Sequence, residues 1–105
     1  MTIVTITPDF IELSGHATEK LVCHGISAIS QMTANYLEKY GSATIKRGDG
    51  YMKICDIIQD DYSLFVLEAF QDALKDIADE YPGNINFKNE KEGAFSNVSF
   101  FMSKT

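Results

Sequence analysis

SGHATEKLVCHGISAISQ, Ser14 to Gln31, is where the chain changes period. From Val22 the apolar positions Val22, Ile26, Ile29, Met32 or Thr33, and Tyr36 or Leu37 recur at intervals of three and four, which marks one face of a helix. Gly41 closes the run as a helix terminator does, so a first helix of about four turns is expected. Upstream the period is two. Thr2 to Thr7 alternates apolar and hydroxyl residues rich in β-branched side chains, Pro8-Asp9 makes a turn, and Phe10 to Leu13 resumes extended character. A strand hairpin therefore runs straight into a helix, with Ser14 to Gln31 as the join.

Further along, Ala43 to Arg47 and Tyr51 to Ile58 flank Gly48-Asp49-Gly50, a turn signal that predicts a second hairpin. Asp60 and Asp61 stand where an N-cap and a favourable charge for the helix dipole are wanted. Leu64, Leu67, Phe70, Leu74, Ile77, Ala78 and Tyr81 then form the apolar face of a second helix, which Pro82-Gly83 stops. Its other face, Glu68, Gln71, Asp72, Lys75, Asp76 and Asp79, reads as solvated. Ile85 to Phe87 and Phe95 to Phe101 read as strands around a polar turn at Asn89 to Gly93. The expected architecture is an α+β fold, two helices packed on a mainly antiparallel sheet of about six strands, as a single domain over residues 1–105.

A formal charge of -6 and a pI near 4.7, with no basic cluster beyond Lys46 and Arg47, argue against nucleic acid as a direct partner. Nor does any apolar run reach the roughly 18 residues a membrane helix needs, and MTIVTITPDF has no basic segment ahead of an apolar stretch. A cytoplasmic protein without a membrane partner is expected. In that compartment thiols stay reduced, so Cys23 and Cys55 are separate cases rather than a disulfide.

Cys23 falls at the start of the first helix, where backbone N–H groups and the dipole favour a thiolate and can also hold an oxyanion. His16 follows Gly15 in the preceding turn, and six residues separate it from Cys23, enough for the chain to double back and pair imidazole with sulfur. His24 is the rival base, but neighbours on a helix point about 100° apart, which turns it away. Ser27, Ser30 and Ala34 continue the Cys23 stripe as small residues that allow close approach of strands or of a substrate. A third group to orient His16 stays unassigned, with Asp56 and Asn35 as candidates. No spacing among the histidines and cysteines matches a zinc pattern, so no metal or other cofactor is expected, and Cys55, between Ile54 and Ile57, reads as core. On the residues alone two readings stand: a base and nucleophile, or a buried thiol beside a turn histidine.

Ser14-Gly15-His16-Ala17, then Leu21-Val22-Cys23 and Ile26 to Gln31, closely resemble the ribosomal-processing cysteine protease family, as do Gly50-Tyr51 and Glu80-Tyr81-Pro82. The resemblance spans most of the chain to about Ile85. It implies a small homodimeric cysteine endopeptidase that removes an N-terminal extension from large-subunit ribosomal protein twenty-seven, a polypeptide substrate. By position, His16 would be the base and Cys23 the nucleophile, Gly15 and Ala17 would shape the turn, and Ser27 would line the substrate side. The chain departs from the family pattern in a shorter loop between His16 and Cys23, with Lys20 before the apolar pair, in His24, and in a tail from Asn86 to Thr105. The alternative is a non-catalytic or phage-type homologue, a binding or assembly factor or a protease for a capsid or scaffold precursor.

Overall fold

In a computed structural model describing residues 1–7 and 9–89, the elements run β1 Thr2–Ile6, β2 Phe10–Ser14, α1 Lys20–Lys39, β3 Thr44–Gly48, β4 Tyr51–Cys55, α2 Asp61–Glu80 and β5 Ile85–Asn89. They build one five-stranded sheet in the order β3-β4-β2-β1-β5. Three of its pairings are antiparallel, and β1 with β5 is parallel. The parallel pair follows from topology: α2 carries the chain from β4 over the sheet to β5 in the same direction, as a helical crossover must. The expected fold class stands, two helices on a mainly antiparallel sheet. The expected strand Phe95–Phe101 lies outside the described residues, and Asn89, read as turn, is the last residue of β5.

Alternation decides which sheet face is covered. Val4, Ile6, Ile11, Leu13, Met52 and Ile54 point under the helices, where Val22, Ile26, Leu37, Leu67, Phe70 and Leu74 close over them. Full burial of each such side chain is worth about 1.5–3 kcal/mol. Ile54 faces inward, so Cys55 must face outward: it is half-buried on the open sheet face, with Sγ 3.6 Å from the Thr44 carbonyl. The expectation that Cys55 is core is corrected by this period-two rule. β4 also ends at Cys55 rather than Ile58, because Asp56 takes φ +51 and turns the chain out.

Helix α1 is longer than its apolar stripe, 20 residues from Lys20 rather than about four turns from Val22. Its end is a Schellman motif: Ser42 N–H donates to Leu37 O at 2.8 Å and Gly41 N–H to Glu38 O at 3.1 Å, with Gly41 at φ +64. At the start of α2, Asp60 accepts from Ser63 N–H at 2.8 Å, the cap the sequence predicted. Gln71 corrects the solvated-face expectation. It is only 2% exposed, because α2 lies flat enough on the sheet and α1 to bury more than its strictly apolar stripe.

Candidate active site

The join between β2 and α1 is built around a glycine. Gly15 has φ +88, and a Cβ there would come within 2.5 Å of the Met1 carbonyl oxygen, so only glycine fits this turn. Its N–H donates to Gly50 O at 2.9 Å, tying the turn to the tip of the β3–β4 hairpin. His16 comes next and lays its imidazole against Gly50. A Cβ on Gly50, itself at φ +61, would sit 2.6 Å from His16 Nε2, so the hairpin tip forms a shelf that exists because residue 50 has no side chain. The sequence showed Gly48-Asp49-Gly50 as a turn only; its role as the seat of the imidazole was not readable without the register Ser14 to Tyr51.

After His16 the chain dips inward at Ala17, which is buried, and enters α1 through Glu19. Glu19 has extended backbone and no side-chain cap, and its N–H is held by Asn84 Oδ1 at 3.1 Å. Cys23 sits on the fourth helical residue, and its own N–H already donates to Glu19 O at 3.0 Å. The Cys23 amide is therefore engaged, and the first-turn N–H groups without an intrahelical acceptor are those of Lys20, Leu21 and Val22. The Cys23 thiol is half-buried and donates to the Ala17 carbonyl at 3.2 Å.

His16, Cys23 and Ser27 nonetheless line one open cleft of about 310 Å³ between the start of α1 and the β3–β4 hairpin, with Gly15, Asp49 and Tyr51 at its rim. The buried residues Ile26, Leu13, Met52 and Ser30 line it as well. His24 is exposed on α1 and does not line the cleft, as the helical spacing required. The Tyr51 hydroxyl donates to Glu12 Oε2 at 2.7 Å, and this bond to a carboxylate is the main reason its pKa is raised. Neither candidate for a third group belongs here. Asn35 accepts from Arg47 Nη2 at 2.9 Å, and Asp56 stands at the opposite end of β4. Arg47 also reaches Gln31 at 3.3 Å and Glu38 at 3.4 Å, linking β3 to α1. Among the described residues no cluster of His, Cys, Asp and Glu is arranged to hold a metal ion.

A thiol and an imidazole lining one open cleft at a helix start suit nucleophilic chemistry on a carbonyl. The family model described as Cysteine protease Prp matches residues 3–86, which includes every element from β1 into β5. The chain belongs to the Prp cysteine protease family. It is accordingly a cysteine peptidase. The essential ribosomal processing protease Prp from S. aureus, solved with a covalently linked product peptide, superposes with a TM-score of 0.76 at 26% identity, over 86% of this chain and 100% of that one. The same protease with a substrate peptide gives a TM-score of 0.75 at 23% identity over the same shares of the two chains. SMU.848 from Streptococcus mutans gives 0.64 at 26% identity, covering 84% of this chain and 90% of that one. No curated protein sequence matches the chain.

Proposed function

We propose that this Prp-family peptidase uses Cys23 as nucleophile and His16 as base to cut a precursor polypeptide, in line with its S. aureus relative, a ribosomal processing protease. The observation that carries the assignment is the single cleft shared by His16 and Cys23 at the uncapped start of α1. The Cys23 thiol gives its proton to His16 and the sulfur adds to the scissile carbonyl carbon. Negative charge then develops on the carbonyl oxygen, where first-turn amides of α1 and the helix dipole stabilise it. Next, the C–N bond breaks, His16 returns the proton to the leaving amine, and water attacks the thioester to free the acid. Before the first step the thiol swings from the Ala17 carbonyl toward the imidazole. Such tightening on substrate binding is common in sites that are loose when empty.

In the same reading the substrate is the N-terminal extension of large-subunit ribosomal protein twenty-seven, and the enzyme works in the cytoplasm as a homodimer, independently of nucleic acid and membrane. The net charge of -6 suits a basic polypeptide substrate. Among the described residues no helix is long and apolar enough to cross a membrane. A second copy has an apolar groove to cover between α1 and α2, lined by Met32, Tyr36, Val66, Ala69 and Ala73, where Met32 is 67% exposed.

Incubation with the precursor, read by intact-mass spectrometry, tests the assignment: one discrete cut by the wild type and none by Cys23→Ala. Alkylation adds a second readout. Cys23 and Cys55 are both half-buried and both donate to a backbone carbonyl, so faster iodoacetamide labelling of Cys23 reports its cleft rather than its access. Equal rates together with an uncut precursor would reject the enzyme and leave a binding protein on the same fold.

A further inference from the structure

The segment from His16 to Glu19 lies in neither strand nor helix, yet it carries the imidazole and delivers the chain into α1. Its course depends on what holds its ends. At one end Gly15 N–H donates to Gly50 O at 2.9 Å, and at the other Glu19 N–H donates to Asn84 Oδ1 at 3.1 Å. Asn84 is 65 residues away in sequence, in the turn between α2 and β5. Because no side chain caps α1 locally, this distant amide is what fixes the peptide unit entering the helix.

Asn84 is only 4% exposed, and both halves of its carboxamide are used. Oδ1 takes the Glu19 amide, while Nδ2 donates to Tyr81 O at 3.1 Å and to Pro82 O at 3.5 Å. The position therefore requires an acceptor on one side and a donor on the other. Asp would turn an oxygen toward two carbonyl oxygens, and Ala would leave the Glu19 N–H without its acceptor. The main chain of Asn84 serves the same region, since its carbonyl accepts from Thr2 N–H at 2.9 Å, next to the Met1 carbonyl that crowds Gly15. Glu19 in turn supplies the carbonyl that accepts from Cys23 N–H at 3.0 Å. A shift of Glu19 thus moves the opening turn and the sulfur with it.

We infer that Asn84 is a positioning residue for the reaction: through the Glu19 amide it sets where the Cys23 sulfur and the amides of Lys20, Leu21 and Val22 stand relative to His16. Asn84 does not itself line the cleft. The inference rests on Cys23 and His16 as the reacting pair.

Kinetics of Asn84→Asp and Asn84→Ala, taken at a temperature where circular dichroism shows each folded, test it. kcat should fall about 10- to 100-fold while KM changes less than about threefold, because a peptide still finds the cleft but the reacting groups no longer align. Leu67→Ala, a core truncation in the first half of α2, controls for lost stability and should leave kcat unchanged in the folded protein. Hydrogen exchange gives a reading that needs no catalysis. In wild type the Glu19 amide should exchange at least about tenfold more slowly than those of Lys20 and Leu21. In the Asn84 variants the Glu19 and Cys23 amides should speed up while those in the middle of α1 do not, whereas Leu67→Ala should spare this local pattern.

Unchanged kcat in both Asn84 variants, or a loss matched by Leu67→Ala, would overturn the inference and leave the peptidase assignment standing. Wild-type exchange at Glu19 as fast as at Lys20 would also overturn it, and this decides the matter if neither variant folds. If wild type cuts no peptide but the local exchange pattern appears, the tether stands and the failure belongs to the assignment of Cys23 and His16.

Discussion

The two helices of this protein are each 20 residues long, lie side by side on the same sheet face, and begin in opposite ways. Helix α2 starts on Asp60, whose carboxylate accepts from Ser63, and carries Asp61 in its first turn. Helix α1 starts on Glu19 with no side-chain cap, has no acidic residue in its first turn, and opens instead with Lys20, a cation at the positive end of the dipole. Its other end is closed by the full set of Schellman bonds, so the chain is able to finish a helix well. The deficit at the start of α1 is therefore local, and it lies at the cleft that holds Cys23. An end whose first-turn amides no side chain caps suits a place where negative charge has to appear during a reaction, and local rules of stability are commonly broken at such places.

The largest expected effects break the contrast directly. Cys23→Ala should lower the cleavage rate by at least about 10⁴-fold and His16→Ala by about 10²–10⁴-fold, with unchanged circular dichroism in both. Matched losses from substitutions at Asp60 would show that the two helix starts do not differ in the way argued.

Next in size is the shelf under the imidazole. Gly50→Ala puts a methyl 2.6 Å from where His16 Nε2 now lies and adds the strain of a side chain at positive φ. Cleavage should fall about 10- to 100-fold, with stability lowered by about 1–2 kcal/mol in denaturant titration. Gly48→Ala is the control in the same turn: its Cβ would meet only Tyr51 side-chain carbons, the nearest at 3.7 Å, an ordinary contact, so activity should be kept. Equal losses at both glycines would mean that the hairpin acts through its stability and not by seating the imidazole.

How far the sequence disclosed all this follows the same division. Elements whose order is set by local periodicity were legible: both hairpins, both helices, the Gly41 terminator and the Asp60 cap correspond to named residues. Misreadings came where facing decides, since Cys55 and Gln71 were judged by their neighbours in sequence while strand alternation and helix packing set their burial. His16, Cys23 and Ser27 were nominated from the turn, the helix start and the family resemblance, and the structure lines one cleft with them. The Gly50 shelf was hidden because it depends on a pairing 35 residues distant, Gly15 N–H to Gly50 O. Ser30 was visible only as a small residue on a stripe; that it is buried is a fact of packing.

A smaller effect sharpens the comparison by making α1 start as α2 does. In Glu19→Asp the shorter carboxylate can accept from the N–H of Val22, the geometry Asp60 uses with Ser63. The helix should gain about 0.5–1 kcal/mol, seen as a higher Tm, while cleavage falls several-fold because an amide and part of the dipole are spent on the new cap. A rise in both stability and rate would show that the opening turn of α1 contributes nothing to the oxyanion.

The smallest effect belongs to Asp60, and it probes the helix that takes no part in the chemistry. The hydrogen bond from the Ser63 backbone N–H, at 2.8 Å, holds the Asp60 carboxyl below its ordinary value of 3.8. A carboxylate whose pKa is depressed on folding adds stability that is fully present above the unfolded value and disappears as the pH falls through the folded one. Asp60→Asn keeps a competent N-cap but has no charge to lose. At neutral pH the wild type should therefore melt slightly above the variant, the gap should close below about pH 4, and further acidification should lower both together. Cleavage at neutral pH should be the same in the two proteins, because Asp60 lies beyond the Cys55 end of β4 whereas the cleft opens at its Tyr51 end. A gap in Tm that persists into acid would mean the cap works through geometry alone, and the contrast between the two helix starts would then rest on hydrogen bonding and not on charge.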